Sequence, residues 1–162
     1  MPITHLFAGI PTADFDSALA WWERLLGRPP DRFPTEDEAV WQVADAGLIY
    51  LVADAERAGN ALVTLIVDDL EEHVCDLAER GIGLAEIETL PGVVRKTRIT
   101  DPDGNSITVG QLGQRYWEHL GGGAGFFNTM RIYPDLGLGL VAMGNCTSWN
   151  HRQLADAVTQ AD

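Results

Sequence analysis

One run of elements occurs twice in this chain, and that repetition restricts the folds open to it. THLFAGI reads as a strand leading to Asp14, an N-cap, after which Phe15, Ala18, Leu19, Trp22, Leu25 and Leu26 recur at helical spacing up to Gly27. A polar loop rich in Pro and Asp follows, then AVWQV and LIYLV, two short strands joined through Asp45, Ala46 and Gly47. The order then restarts. ALVTLIV is a strand, Asp68 or Asp69 caps a helix whose apolar stripe is Leu70, Val74, Leu77 and Ala78, and Gly81 ends it. GLAEIE, VVRKTRIT and SITVG are three further strands, separated by Pro91-Gly92 and by the turn DPDGN. The repeat is about 55 residues, a length at which neither copy buries its apolar sheet face alone, so each must join its twin.

The pattern predicts an α+β fold: two βαβββ modules form a curved mixed sheet, with helices on the convex side and a cavity on the concave side. Residues alternating away from the helices line that cavity, and strand parity puts Thr108 among them. At 162 residues and 46% apolar content, the chain holds one core domain and an appendage. The expected domains are 1–112 and 113–162. No run of about 18 apolar residues is present to cross a bilayer, and the N-terminus lacks the basic, apolar and small-residue pattern of a leader. The expectation is a soluble, cytoplasmic protein with no membrane partner, in which Cys75 and Cys146 are reduced thiols.

The net charge is −13, and residues 1–112 carry −12 of it, with 20 acids against 8 Lys or Arg. Such a field repels nucleic acid and favours cationic small molecules; a merely solvated acidic surface is the plainer alternative.

The doubled βαβββ unit, with VDDLEEHVCDLAERG and DPDGNSITV in its second copy, resembles the vicinal oxygen chelate superfamily of glyoxalases, bleomycin resistance proteins and dioxygenases over residues 3–112. The resemblance implies a divalent metal on the concave sheet of the enzymes and a drug-trapping groove in other members. It also implies ligand positions, which fall here on Phe7, Leu62 and Thr108, where metal-binding members carry His, His and Glu. His5, two residues from Phe7 on the same strand face, is the imidazole that a register shift would bring in. A catalytic divalent ion needs three or more converging N, O or S donors at about 2.0–2.6 Å, and one imidazole with a hydroxyl does not supply them. No metal and no cofactor are expected.

The cavity then reads as a binding wall built from His5, Phe7, Leu62, Thr64 and Thr108. Trp41 and Tyr50 are placed beside it to stack on a flat or cationic ligand, with a core or interface role as the alternative. Arg95, in the cluster with Lys96 and Arg98, is the candidate to meet a ligand anion; pairing with neighbouring acids is the alternative. His73 is expected to be exposed on the second helix, and Trp21 and Trp22 to serve packing.

Residues 115–148 resemble the late segment of serine β-lactamase-like hydrolases of the penicillin-binding type, from EHLGGGAGF through MRIYPDLGLG to MGN. His119-Leu120-Gly121 stands at that family's His- or Lys-x-Gly triplet. That chemistry needs a Ser three residues before a Lys; the single lysine is Lys96, and position 93 is Val. The tail is expected as a hairpin about Pro134 to Gly137 followed by a helix capped by Ser148, with GGGAG as a hinge or turn. A hairpin and one helix are too small to stand alone.

Three readings follow. The first is a metal-free homodimer that binds a small planar or cationic molecule. The second is a glyoxalase-like lyase or a dioxygenase. The third is an interaction module with the tail as an exchanged arm.

Overall fold

The computed structural model describes residues 2–113, 115–145 and 149–159. The chain divides into two compact units, Met1–Leu112 and Gly113–Asp162. Cys146 and Ser148, singled out above, lie outside the described residues.

The first unit is the doubled module. Strand β1 (Leu6–Thr12), helix α1 (Phe15–Leu26) and strands β2 (Arg32–Thr35), β3 (Glu38–Ala44) and β4 (Gly47–Ala53) are followed by β5 (Leu62–Ile66), α2 (Leu70–Glu79), β6 (Glu88–Leu90), β7 (Val94–Thr100) and β8 (Ser106–Leu112). Hydrogen bonding arranges the strands as two four-stranded sheets of the same order, β1-β4-β3-β2 and β5-β8-β7-β6. In each, the first and last strands run parallel and the remaining pairs antiparallel. A parallel pair requires a crossover, and α1 and α2 lie within those crossovers.

Both helices begin as their spacing predicts. The Asp14 carboxylate accepts from the Ser17 amide at 3.2 Å, and Asp69, rather than Asp68, accepts from the Glu72 amide at 3.0 Å. Each cap satisfies an otherwise orphaned amide and contributes about 1 kcal/mol. Gly27 closes α1 at φ +70°, a left-handed conformation that a side chain rarely tolerates, and the Arg80 guanidinium lies where its Cβ would be.

The two apolar stripes share one core. Ile10, Trp22 and Leu51 of the first module form a single buried cluster with Val63, Leu77 and Ile107 of the second. Trp22, fully buried, packs edge-on against Trp21 at 5.7 Å between ring centroids.

The DPDGN turn ties the second module to the first. Asn105 is fully buried: its amide nitrogen donates to the Pro11 carbonyl at 3.0 Å and to Asp101 at 2.8 Å, and its carbonyl oxygen accepts from the Ala61 amide at 2.8 Å. The Trp22 indole N–H donates to Asp101 at 3.4 Å. Asp103 accepts from the Thr12 hydroxyl and from the Ala13 amide. A turn motif thus becomes a polar clamp across the module boundary.

The elements differ from expectation in three places. The Pro-rich loop after α1 contains β2, whose residues are all exposed, so no apolar alternation announces it. The strand expected at GLAEIE is displaced to the short β6, and residues 84–87 carry no regular structure. In the second unit the expected hairpin is a three-stranded antiparallel sheet of β9 (Trp117–Gly123), β10 (Phe126–Tyr133) and β11 (Leu138–Gly144), with β10 central, followed by α3 (His151–Thr159).

The hinge or turn expected at GGGAG is a turn, shortened by that third strand. Gly121, Gly122 and Gly123 pair with Asn128, Phe127 and Phe126, and only Ala124 and Gly125 form the turn. Glycine lacks a side chain to reveal the strand period, which is why the sequence concealed it. On one face of this sheet Arg131, 1% exposed, donates to Glu118 at 2.7 Å and lies 4.2 Å above the Tyr116 ring. The ion pair and the ring give that buried cation the partners it needs.

Candidate functional site

Each module turns one sheet face toward its helix and core and leaves the other open. In the first module the pairings Phe7 with Leu48, Gly9 with Tyr50 and Pro11 with Val52, continued by Val40 opposite Tyr50, define the open face, on which Phe7 is exposed while Leu48 and Val40 are covered. Phe7 and Tyr50 meet edge-on, with ring centroids 6.3 Å apart at 66°. A Cβ at Gly9 would lie 3.0 Å from the Tyr50 ring, so the missing side chain is what lets that ring lie across β1.

Two recesses flank this pair. One of about 580 Å3 is bounded by His5, Phe7, Arg32, Gln42 and Leu48. His5 is exposed just before β1, within 3.1 Å of the Thr4 hydroxyl. The other, about 400 Å3, is bounded by Gly9, Tyr50, Val52, Glu56, Arg57 and Asn60. Arg57 is committed to Asp54: its side-chain hydrogen bond, ahead of the backbone amide, holds the Asp54 carboxyl below its ordinary value. Glu56 has no such partner among the described residues.

In the second module the open face is set by Leu62 opposite Ser106, Thr64 opposite Thr108 and Arg98 opposite Thr108. Thr108 lines a recess of about 240 Å3 with Glu86, Glu88, Lys96 and Arg98. Lys96 reaches Glu88 at 3.4 Å, while Arg98 makes no ion pair among the described residues.

The structure therefore brings Phe7 together with His5 and with Tyr50 on one module, and Leu62, Thr64 and Thr108 together on the other. Two assignments are corrected. Trp41 is 0% exposed and points to the core, opposite Ile49, with its indole N–H donating to the Arg28 carbonyl at 3.2 Å. Arg95 shares the parity of Thr97 and Ile99, both buried, and pairs with Glu71 in the first turn of α2. The basic residues on the open face are its neighbours Lys96 and Arg98. The signal was present in RKTRIT: if Thr97 and Ile99 face the core, Lys96 and Arg98 face away.

His73 is corrected as well. It is half-buried, not exposed, and burial, followed by the Arg80 charge, pulls its pKa below the ordinary 6.5 against the opposing pull of Asp76.

The donor set does not fit a divalent metal. Phe7 and Leu62 offer no lone pair, Thr108 offers one neutral hydroxyl, and among the described residues no three of His, Cys, Asp and Glu converge.

A crystal structure of a glyoxalase/bleomycin resistance protein from Catenulispora acidiphila is 45% identical over 67% of this chain and 97% of its own, with a TM-score of 0.63. This chain belongs to the glyoxalase/bleomycin resistance family. Two more distant members of the fold are a bleomycin-binding protein complexed with bleomycin, 24% identical over 66% of this chain and 97% of its own at a TM-score of 0.55, and TnmS3, an antibiotic-binding protein from Streptomyces, 23% identical over 70% and 99% at 0.56. No protein-family model matches the chain, and no curated protein does. The two open faces of this glyoxalase/bleomycin resistance protein carry unlike residues. An aromatic pair occupies one, and hydroxyls with two cations occupy the other.

Proposed function

We propose that this glyoxalase/bleomycin resistance protein binds and sequesters a small planar cation on the open face of its first module. The observation that carries the reading is the Tyr50 ring laid across Gly9, edge-on to Phe7, beside the carboxylate of Glu56. A flat ligand stacks on such a ring, and a positive charge gains from the ring face and from the nearby acid. The net charge of −12 on residues 1–112 works in the same direction. Bleomycin-binding and antibiotic-binding proteins among the structural neighbours support the reading at the level of the fold.

The test is calorimetric titration of the full chain with proflavine and with bleomycin. Saturable binding of either is expected, weakened about tenfold by Tyr50→Ala, the loss of one aromatic or cation–π contact. Absence of binding, or binding indifferent to Tyr50→Ala, sinks the reading.

The same proposal includes a homodimer. Leu62 is 80% exposed and Leu6 73%, an amount of apolar strand surface that a second copy would cover. A monomeric mass by light scattering at micromolar concentration counts against it. The likeness of residues 115–148 to serine hydrolases carries no hydrolase reading, since Lys96 and Val93 do not form the required Ser-x-x-Lys.

A further inference from the structure

Superposing the two helix caps in sequence, Asp14 on Asp69, makes the modules comparable residue by residue. Trp22 then corresponds to Leu77 and Ala18 to His73. The DPDGN turn between β7 and β8 corresponds to the turn between β3 and β4, around Asp45. At the first of these ends, Asp101, Asp103 and Asn105 bond to Trp22, Thr12, Ala13 and Pro11 and close the seam between modules. At the second, Val43, Ala44 and Gly47 face the seam and carry no side-chain donors or acceptors, and the one acid of the turn, Asp45, is not among the residues lining it.

The seam at that second end is open. A cavity of about 540 Å3 occupies it, bounded by the turn, by the inner residues Ala8, Leu25, Ile49, Val63 and Leu65, and by His73 at the position where the first module has the fully buried Ala18. Its size is that of a small-molecule pocket, and its wall is mainly apolar. The mouth is marked by Leu6 and Ile66, both exposed.

The polar residues of the lining are Arg28, Gln42, Thr64, His73 and Arg80. None of the chain's 24 carboxylates is among them, although the chain carries a net charge of −13. Arg28 is held by Asp31 and the Gln42 carbonyl, and Arg80 by the Leu25 carbonyl and Asp76, so both guanidinium groups are fixed in place. The His73 imidazole makes no hydrogen bond among the described residues, and Arg80 and Asp76 are the charges that act on it.

We infer that this cavity is a second binding site, which takes an apolar monoanion: an aryl or medium-chain carboxylate or sulfonate whose hydrocarbon lies against Leu25, Val63 and Leu65 and whose acid group accepts from His73. The site adjoins the recess beside Phe7 through Gln42 and Leu48, does not include Tyr50, and selects for the opposite charge. Its selectivity comes from a ring donor and two fixed cations at one side of an apolar wall, since an acid group buried there needs such partners and a hydrocarbon needs none.

The experiment titrates the full chain with 8-anilinonaphthalene-1-sulfonate and with its uncharged analogue N-phenyl-1-naphthylamine, following fluorescence. One saturable site for the sulfonate is expected. His73→Leu should weaken the sulfonate about tenfold, as the loss of one charge-assisted hydrogen bond does, and leave the uncharged analogue within about twofold. Ala44→Trp, which fills the mouth, should abolish both. Should that variant lack the native circular dichroism, methyl shifts on adding decanoate to the unaltered chain decide instead, with perturbation expected at Val63, Leu65 and Val67. The inference is overturned by absence of saturable sulfonate binding, by equal affinity in His73→Leu, by displacement of the sulfonate with proflavine, or by decanoate shifts confined to Val40 and Val52.

Discussion

The two βαβββ modules share strand order, cap residue and helix position, yet they end differently. The turn of the second module carries Asp101, Asp103 and Asn105 and reaches across to Trp22, Thr12 and Pro11, whereas the corresponding turn of the first module presents Val43 and Ala44 to a cavity. Their open faces diverge in the same way. Tyr50 of the first stands where the second has Thr108, and Val40 where the second has Arg98. A repeated frame thus supplies two unlike surfaces and one locked end. The difference teaches that equivalent positions in a repeat are equivalent in backbone only.

The clamp is where this contrast is most easily broken. Asn105→Ala removes three side-chain hydrogen bonds and leaves buried Asp101 short of a partner, and it should cost about 3 kcal/mol by urea unfolding. Asp103→Ala, which loses only its half-exposed bonds to Thr12 and Ala13, should cost about 1 kcal/mol. Equal, small effects of the two would mean that the turn does not bind the modules together.

The open end has a weaker signature in pH. The His73 pKa is depressed by burial and by Arg80, so the unfolded chain takes up that proton first as pH falls. The stability it contributes is fully present above the ordinary value of 6.5 and is lost as pH falls from there through the lower folded value. His73→Leu should therefore flatten the fall of the urea midpoint between pH 7.5 and pH 5, an interval chosen to span roughly one unit either side of an unperturbed imidazole. An unchanged slope would place His73 in open solvent and equate the two ends.

Much of the fold was legible because it is written in local spacing. Asp14 and Asp69 precede apolar stripes of helical period, Gly27 follows one, and each reading needs only its own neighbours. The shared side of Thr64 and Thr108 followed from strand alternation in the same way. Three readings failed where local chemistry is silent. Arg95 and Arg98 are alike in type and differ only in which side of β7 they occupy. Trp41 looks like a stacking residue until Ile49 is placed beside it in the core. The glycines of β9 hide their alternation.

His73 shows the same limit from the other direction. Its helical position marked it as off the stripe, but the side of α2 it occupies adjoins a space that exists because another module's turn fails to fill it. Taken alone, the chain's sequence determined the repeat, the caps, the turns and the parity of each strand, since these depend on dihedral preference and the spacing of apolar groups within a few residues. The tertiary structure alone decided which face of β3 and β7 is buried, which turn clamps and which leaves a cavity. Those outcomes depend on contacts between different elements, from Trp41 with Arg28, 13 residues apart, to Asn105 with Pro11, 94 apart, and no preference within one element encodes them.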